Sequence, residues 1–166
     1  MASFDSTRFG HIEIPDETVL TLPAGMIGFA GLERYAILKQ REDSVFLWLH
    51  SLDEPSLAFP IVLPWVFYWD YEVDLSDADM AAIGVERADQ ISIYCVVNVG
   101  ADVRAATINL FSPIVVNNGD RRARQVINTI DGYSTRDMLF RETDSPTPVA
   151  MHESDAPNVT VLTSGG

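Results

Sequence analysis

Side chains able to do chemistry are few in this chain, and their spacing is poor for catalysis. The three histidines are His11, His50 and His152. None stands four residues from another, and the single cysteine, Cys95, has no companion at a Cys-x-x-Cys distance, so metal-ligand spacing is absent. His11 and His50 fall in stretches that read as strands, where a polar strand residue or a satisfied core histidine is the ordinary role. An enzyme would need one of them beside a carboxylate in a cleft. His152 lies in a Pro-rich tail expected to be flexible, and such a tail cannot hold a catalytic group in place. Cys95 sits in the apolar run from Ile91 to Val99, which reads as a small buried thiol rather than a nucleophile. The acid pairs Asp53/Glu54 and Asp77/Asp79 suit turns and helix caps better than general acid–base work. No catalytic group, cofactor or metal is expected.

Two further constellations invite a binding role. Gly25, Gly28 and Gly31 resemble a phosphate loop only in composition. No Lys-Ser/Thr follows them and no helix offers its N-terminus, so they read as a bend between strands. Arg121, Arg122 and Arg124 beside Asn118-Gly119 could touch a phosphate or an acidic partner, or could keep a hairpin edge soluble. The most unusual stretch runs from Pro64 to Glu72. Trp65, Phe67, Tyr68, Trp69 and Tyr71 cannot all face one core at period 2. Either some of these rings face outward inside the acidic rim of Asp70, Glu72 and Asp74, as anchors for another protein, or the segment wraps the core and buries every ring.

The elements that must position these groups are strands. His11–Ile14 and Val19–Leu22 alternate polar and apolar residues and end at prolines. Tyr35–Lys39, Val45–His50, Ser56–Leu63, Ile91–Val99, Arg104–Leu110 and Pro113–Val116 are apolar runs. Pro60 cannot donate to a ladder, so its strand must lie at an edge or a bulge there. Asn118-Gly119 predicts a hairpin returning through Ala123–Ile130. Only Ser76–Ile83 reads as a helix, capped by Ser76, with Asp77 and Asp79 at its positive end and Gly84 as its stop. About nine strands and one short helix predict a mainly β fold, a small closed or partly open antiparallel β-barrel over residues 1–141. Residues 142–166 form the Pro-rich tail. Within it, Val159–Leu162 either adds a short strand or does nothing.

Charge narrows the partners. Asp and Glu number 24 against 11 Lys and Arg, a net charge of −13. Between Glu42 and Asp89 there are eleven acids and one base, Arg87. Such a surface repels phosphate and hastens encounter with a basic protein, so no direct nucleic-acid binding is expected. No apolar run approaches the roughly 18 residues of a membrane span. The start, Met1-Ala2-Ser3-Phe4-Asp5, lacks a basic residue followed by an apolar stretch, so no secretory signal is expected. The expected location is the cytoplasm, away from membranes.

An ordered set of short motifs resembles the flagellar assembly factor FliW family. Phe9-Gly10-His11-Ile12-Glu13-Ile14 and Leu20-Thr21-Leu22-Pro23-Ala24-Gly25-Met26-Ile27-Gly28-Phe29 resemble its opening strand and Gly-rich bend. Leu49-His50-Ser51, Pro55–Phe59, Asp70-Tyr71-Glu72, Ala106–Asn117, Arg124–Ile127 and Tyr133–Arg136 follow in the family's order, so the likeness runs from about Arg8 to Leu139. Leu22, His50, Val73 and Ser112 depart from the family's usual residues at structural positions. The resemblance implies a small barrel without catalytic activity, monomeric when free, that binds flagellin and antagonises the RNA-binding translational repressor CsrA. Export of flagellin would then free the factor to capture the repressor. The acid excess around the aromatic segment marks Asp53, Glu54, Asp70, Tyr71 and Glu72 as the expected partner contacts, with Asn117 as a polar one. A ligand-binding barrel with an aromatic-lined pocket is the alternative.

Overall fold

The computed structural model describes residues 1–141 and the backbone of 160–161. The Pro-rich segment and His152 therefore lie outside the described residues. Within those described, short strands dominate. They are β1 (Ala2–Ser6), β2 (Gly10–Ile14), β3 (Leu20–Thr21), β4 (Arg34–Lys39), β5 (Leu47–Ser51) and β6 (Ala58–Val62), followed after the helix α1 (Asp77–Ala82) by β7 (Ile91–Asn98), β8 (Thr107–Ile108), β9 (Ile114–Asn117), β10 (Ala123–Gln125), β11 (Asp137–Met138) and β12 (Thr160–Val161). The predicted Arg104–Leu110 strand shrinks to β8, because Val103–Ala105 coils into a 3-10 turn. The predicted return strand Ala123–Ile130 is likewise only three residues long.

The main sheet runs β10-β9-β7-β6-β5-β4-β12 and is antiparallel between neighbours. β3 shares the outer edge of β4 with β12. The sheet curls until its ends meet at one point, where Thr21 bridges Arg122 and the Thr21 N–H donates to the Arg121 carbonyl at 3.0 Å. Away from that contact the cylinder stays open. The fold is thus a partly open barrel with one short helix.

Side-chain alternation explains both walls. Tyr35 and Ile37 from β4, Leu47 and Leu49 from β5, Ile61, Tyr94, Ile114 and Val116 point into the cylinder and fill it. The intervening residues point outward and need cover. The β1–β2 hairpin brings Phe4, Phe9, Ile12 and Ile14 over Ala36, Leu38 and Trp48. The aromatic segment and residues 133–140 cover Val62, Cys95 and Val97. The corner after α1 places Ile83 and Val85 over Ile93 and Val115. β5 is buried on both faces, which is why it reads as an apolar run without alternation. Pro60 obeys its constraint: it pairs with Trp48 on β5, while pairing with β7 begins only at Ile61, so the strand is locally an edge there.

Candidate protein-binding face

The aromatic segment divides its rings between the two predicted roles. The reason is local. Pro64–Val66 forms a 3-10 turn, which breaks period-2 alternation and rotates successive side chains by a third of a circle. Phe67 meets Phe46 and Phe140 at centroid distances of 6.1 and 5.7 Å and joins the core. Tyr68 lies half-buried with Arg141 over its ring. Tyr71 is only 4% exposed, whereas Trp65 is 42% and Trp69 80% exposed. Two tryptophans therefore face solvent and three rings pack inward.

Tyr71, expected as a partner contact, is instead a core residue. Its hydroxyl donates to the Leu110 carbonyl at 2.6 Å and accepts from Asn128 Nδ2 at 3.3 Å. Burial pushes its ionisation well above the usual tyrosine range. Asn128 also donates to the Glu72 carbonyl at 2.8 Å, while its Oδ1 accepts from the backbone N–H groups of Asp74 and Ile130. All four hydrogen-bonding positions of that amide are used, and they fix the path of residues 71–74. Tyr133 adds a ring contact to Tyr71 at 4.8 Å, and its hydroxyl accepts from the Glu72 N–H.

Asn117 is the second correction. It is buried, its Nδ2 donates to the Ile83 carbonyl at 2.7 Å and its Oδ1 accepts from the Gly119 N–H at 2.9 Å. It ties the hairpin to the end of α1. Asp70 and Glu72 are exposed on the same loop as Trp69. Asp70 pairs with Arg141, which holds its carboxyl below the usual range. Asp53 and Glu54 are exposed in the turn after β5, where Asp53 pairs with Arg34 and Glu54 accepts from Ser56. That turn lies at the Ala58 end of β6 and the aromatic segment at the Val62 end. A five-residue strand separates them by about 17 Å. The acids thus form two patches rather than one.

The remaining candidates resolve into structural roles. His50 is buried under Phe4 and Phe9, with Nδ1 at 2.7 Å from the Ser51 carbonyl and Nε2 at 2.7 Å from Ser6 Oγ. The carbonyl can only accept, so Nδ1 carries the proton and Nε2 accepts from Ser6. Burial lowers its pKa from the ordinary value of 6.5. His11 does reach a carboxylate, Asp5 at 2.9 Å, but both are exposed on the hairpin and no cleft holds them. Burial pushes the Cys95 thiol up to about 12. The arginine cluster is dispersed. Arg121 is buried, Arg122 pairs with Asp120 at 2.8 Å and Arg124 with Asp79 at 3.1 Å. Among the described residues no group of three His, Cys, Asp or Glu is placed to hold a metal ion.

Between α1 and the aromatic segment lies a solvent-open groove of about 570 Å³ whose floor is the outer face of β7 at Ile91 and Ile93. Leu63 and Trp65 form one wall, and Val73, Leu75 and Met80 the other. The Trp65 indole donates to the Tyr71 carbonyl at 2.9 Å, which fixes that wall in place. The groove is built from residues spread from Leu63 to Ile93, so no local pattern announces it.

Comparison with known proteins points to one family. The model of the FliW protein family matches residues 3–139. A flagellar assembly factor FliW of Ruminiclostridium cellulolyticum is 36% identical over 138 residues, covering 82% of this chain and 93% of the relative. One from Bdellovibrio bacteriovorus is 34% identical over 135 residues, covering 81% of this chain and 77% of its own. A crystal structure of the flagellar assembly factor FliW superposes with a TM-score of 0.78 at 28% identity, covering 86% of this chain and all (100%) of that one.

Proposed function

We propose that this chain, which belongs to the FliW family of flagellar assembly factors, acts as a cytoplasmic protein-binding factor that holds flagellin and a CsrA-type repressor in turn. It works as a monomer, without catalysis, cofactor or direct contact with nucleic acid. When flagellin is exported, the freed factor captures the repressor and lifts its block on flagellin translation.

The observation that carries this reading is the exposed pair Trp65 and Trp69 inside a rim of carboxylates. From Asp70 to Asp89 there are seven acids and one base. Exposed tryptophans with a charged surround have the anatomy of a binding hot spot. An RNA-binding repressor must be basic, so a negative face draws it in and disfavours RNA on the complex. If flagellin and repressor exclude one another, each weakens the apparent affinity of the other by the same factor. The test is to titrate the purified chain with flagellin and with the repressor, and then each complex with the competing partner. Mutual displacement is expected; a chain that binds neither overturns the reading.

The alternative, a small apolar ligand, has the groove beside Trp65 in its favour. Against it, the barrel interior is filled by side chains and the groove lies open to solvent. Ligand sites bury most of the ligand's surface, which an open trough does not achieve.

A further inference from the structure

The groove itself names the kind of partner segment that fits, resting on the reading that this face binds proteins. The cluster around Ile83, Val85, Ile93, Val115 and Val126 is closed on its inner side. Its fringe, Val73, Leu75, Met80 and Ile91, is only half-buried and lines the open trough. The two covers of the barrel wall, the aromatic segment and the α1 corner, meet over Ile93 but leave Ile91, at the start of β7, half-exposed between them. Apolar side chains left half in water at a preformed trough gain by burial against another apolar surface.

The walls are held before any partner arrives. The bonded indole sets Trp65. On the other side, Ser76 Oγ accepts from the Asp79 N–H at 3.0 Å to cap α1, and Arg124 pairs with Asp79 to tie the helix to β10. Wall rigidity lowers the ordering cost of binding. The rim decides the charge of the occupant. Asp74 lines the groove and Asp77 begins α1, while in the chain Arg87 and Asp89 flank the lining residue Ala88, with Glu86 one position further. Asp74, Asp77 and Glu86 make no ion pair among the described residues, and Arg87 is engaged with Asp89 at 3.3 Å.

We infer that the groove between α1 and the aromatic segment is the docking subsite for an apolar polypeptide segment flanked by Lys or Arg, contributed by a partner protein. The apolar side chains of that segment sit on Val73, Leu75, Met80 and Ile91, and its basic flanks meet Asp74 and Asp77.

Ala88 is exposed at the mouth, so Ala88→Trp plugs the trough without disturbing the core. Met80→Gln removes an apolar wall contact from a half-buried helix position. Binding of purified flagellin and of purified CsrA-type repressor to the full chain is measured by calorimetry for the wild type and both variants, with thermal unfolding as the check on folding. The expected result is at least tenfold weaker binding of one partner by both variants at unchanged unfolding temperature, with a modest further weakening in high salt. Undiminished binding of both partners to folded Ala88→Trp overturns the subsite while leaving the proposed function intact. Should the wild type bind neither partner, it is the function that fails. The groove is then judged with a synthetic Leu-rich peptide carrying Lys at both ends: binding abolished by Ala88→Trp upholds it, and no such binding ends it.

Discussion

Tyr71 and Trp69 stand two residues apart in one segment, yet they belong to different kinds of structure. Tyr71 is enclosed, with its hydroxyl bonded to Leu110 and Asn128. Trp69 is the most exposed aromatic side chain of the segment, at 80%. The same contrast separates the filled barrel interior from the half-closed cluster beside α1. Where rings and hydroxyls are enclosed by neighbours, as Tyr71 is, side chains serve the fold. Where large apolar groups are left in water on a rigid support, they serve a partner.

That division predicts opposite results from two similar truncations. Tyr71→Ala removes a buried ring and leaves Asn128 and the Leu110 carbonyl short of a partner, and should cost about 3–5 kcal/mol in urea unfolding. Tyr71→Phe, which removes only the hydroxyl, should cost about 1–3 kcal/mol. Trp69→Ala should leave stability within about 0.5 kcal/mol while weakening partner binding. A Trp69 variant that unfolds early, with binding intact, would erase the contrast.

Acid should loosen the enclosed side first. His50 is held neutral by burial, so its folded pKa lies below the ordinary 6.5. The unfolded chain then takes up the proton at higher pH than the folded one. The contribution of His50 is complete above about pH 6.5 and is lost as pH falls from there through its folded value. His11 shifts the other way, raised mainly by its hydrogen bond to Asp5, so its contribution is present below 6.5 and fades as pH rises through its folded value. An NMR titration should show the His11 ring protonating above pH 6.5 while the His50 ring stays neutral. Urea unfolding should show stability falling below that pH.

A smaller effect probes the groove's wall. Ser76→Ala removes the cap from a helix of only six residues and should cost about 1 kcal/mol. Hydrogen exchange of the amides from Met80 to Ala82 should quicken more than that of the β5 amides, because α1 has no buried residue of its own.

Much of this was legible in the chain. Most strands, the capped helix and the Pro60 edge are local patterns and appear where their chemistry requires, while the strands expected over Arg104–Leu110 and Ala123–Ile130 are cut to two and three residues. The hairpin at Asn118-Gly119 forms, but the residue with positive φ is Arg121 at 65°, since the loop also has to bring its backbone to Thr21. That demand comes from the far end of the sheet and leaves no local trace. Tyr71 and Asn117 lie in the interior rather than on the expected face for a related reason. An aromatic beside acids and an Asn beside a turn look alike whether they face in or out; only the 3-10 turn at Pro64 and the hydrogen-bond partners decide. Asp53 and Glu54 share the acid excess of Asp70 and Glu72 in sequence, and β6 sets them apart in space.

The separation of those acids supplies the finest test. Attraction between exposed charges is screened within about 8 Å at physiological salt, so two patches about 17 Å apart act on a docking segment unequally. Asp70→Lys with Glu72→Lys places positive charge beside Trp69, at the proposed face. Association with a basic repressor should slow, and its rate should depend less steeply on salt, because the steering field is weakened where the encounter forms. The dissociation rate should change less, since exposed rim charges contribute little once apolar contacts close. Asp53→Lys with Glu54→Lys makes the same change in net charge at the other end of β6, and should slow association only slightly. Stopped-flow measurements at two salt concentrations separate the outcomes. Equal slowing by both pairs would mean that total charge does the steering, and that the face around Trp69 holds no privilege in the encounter.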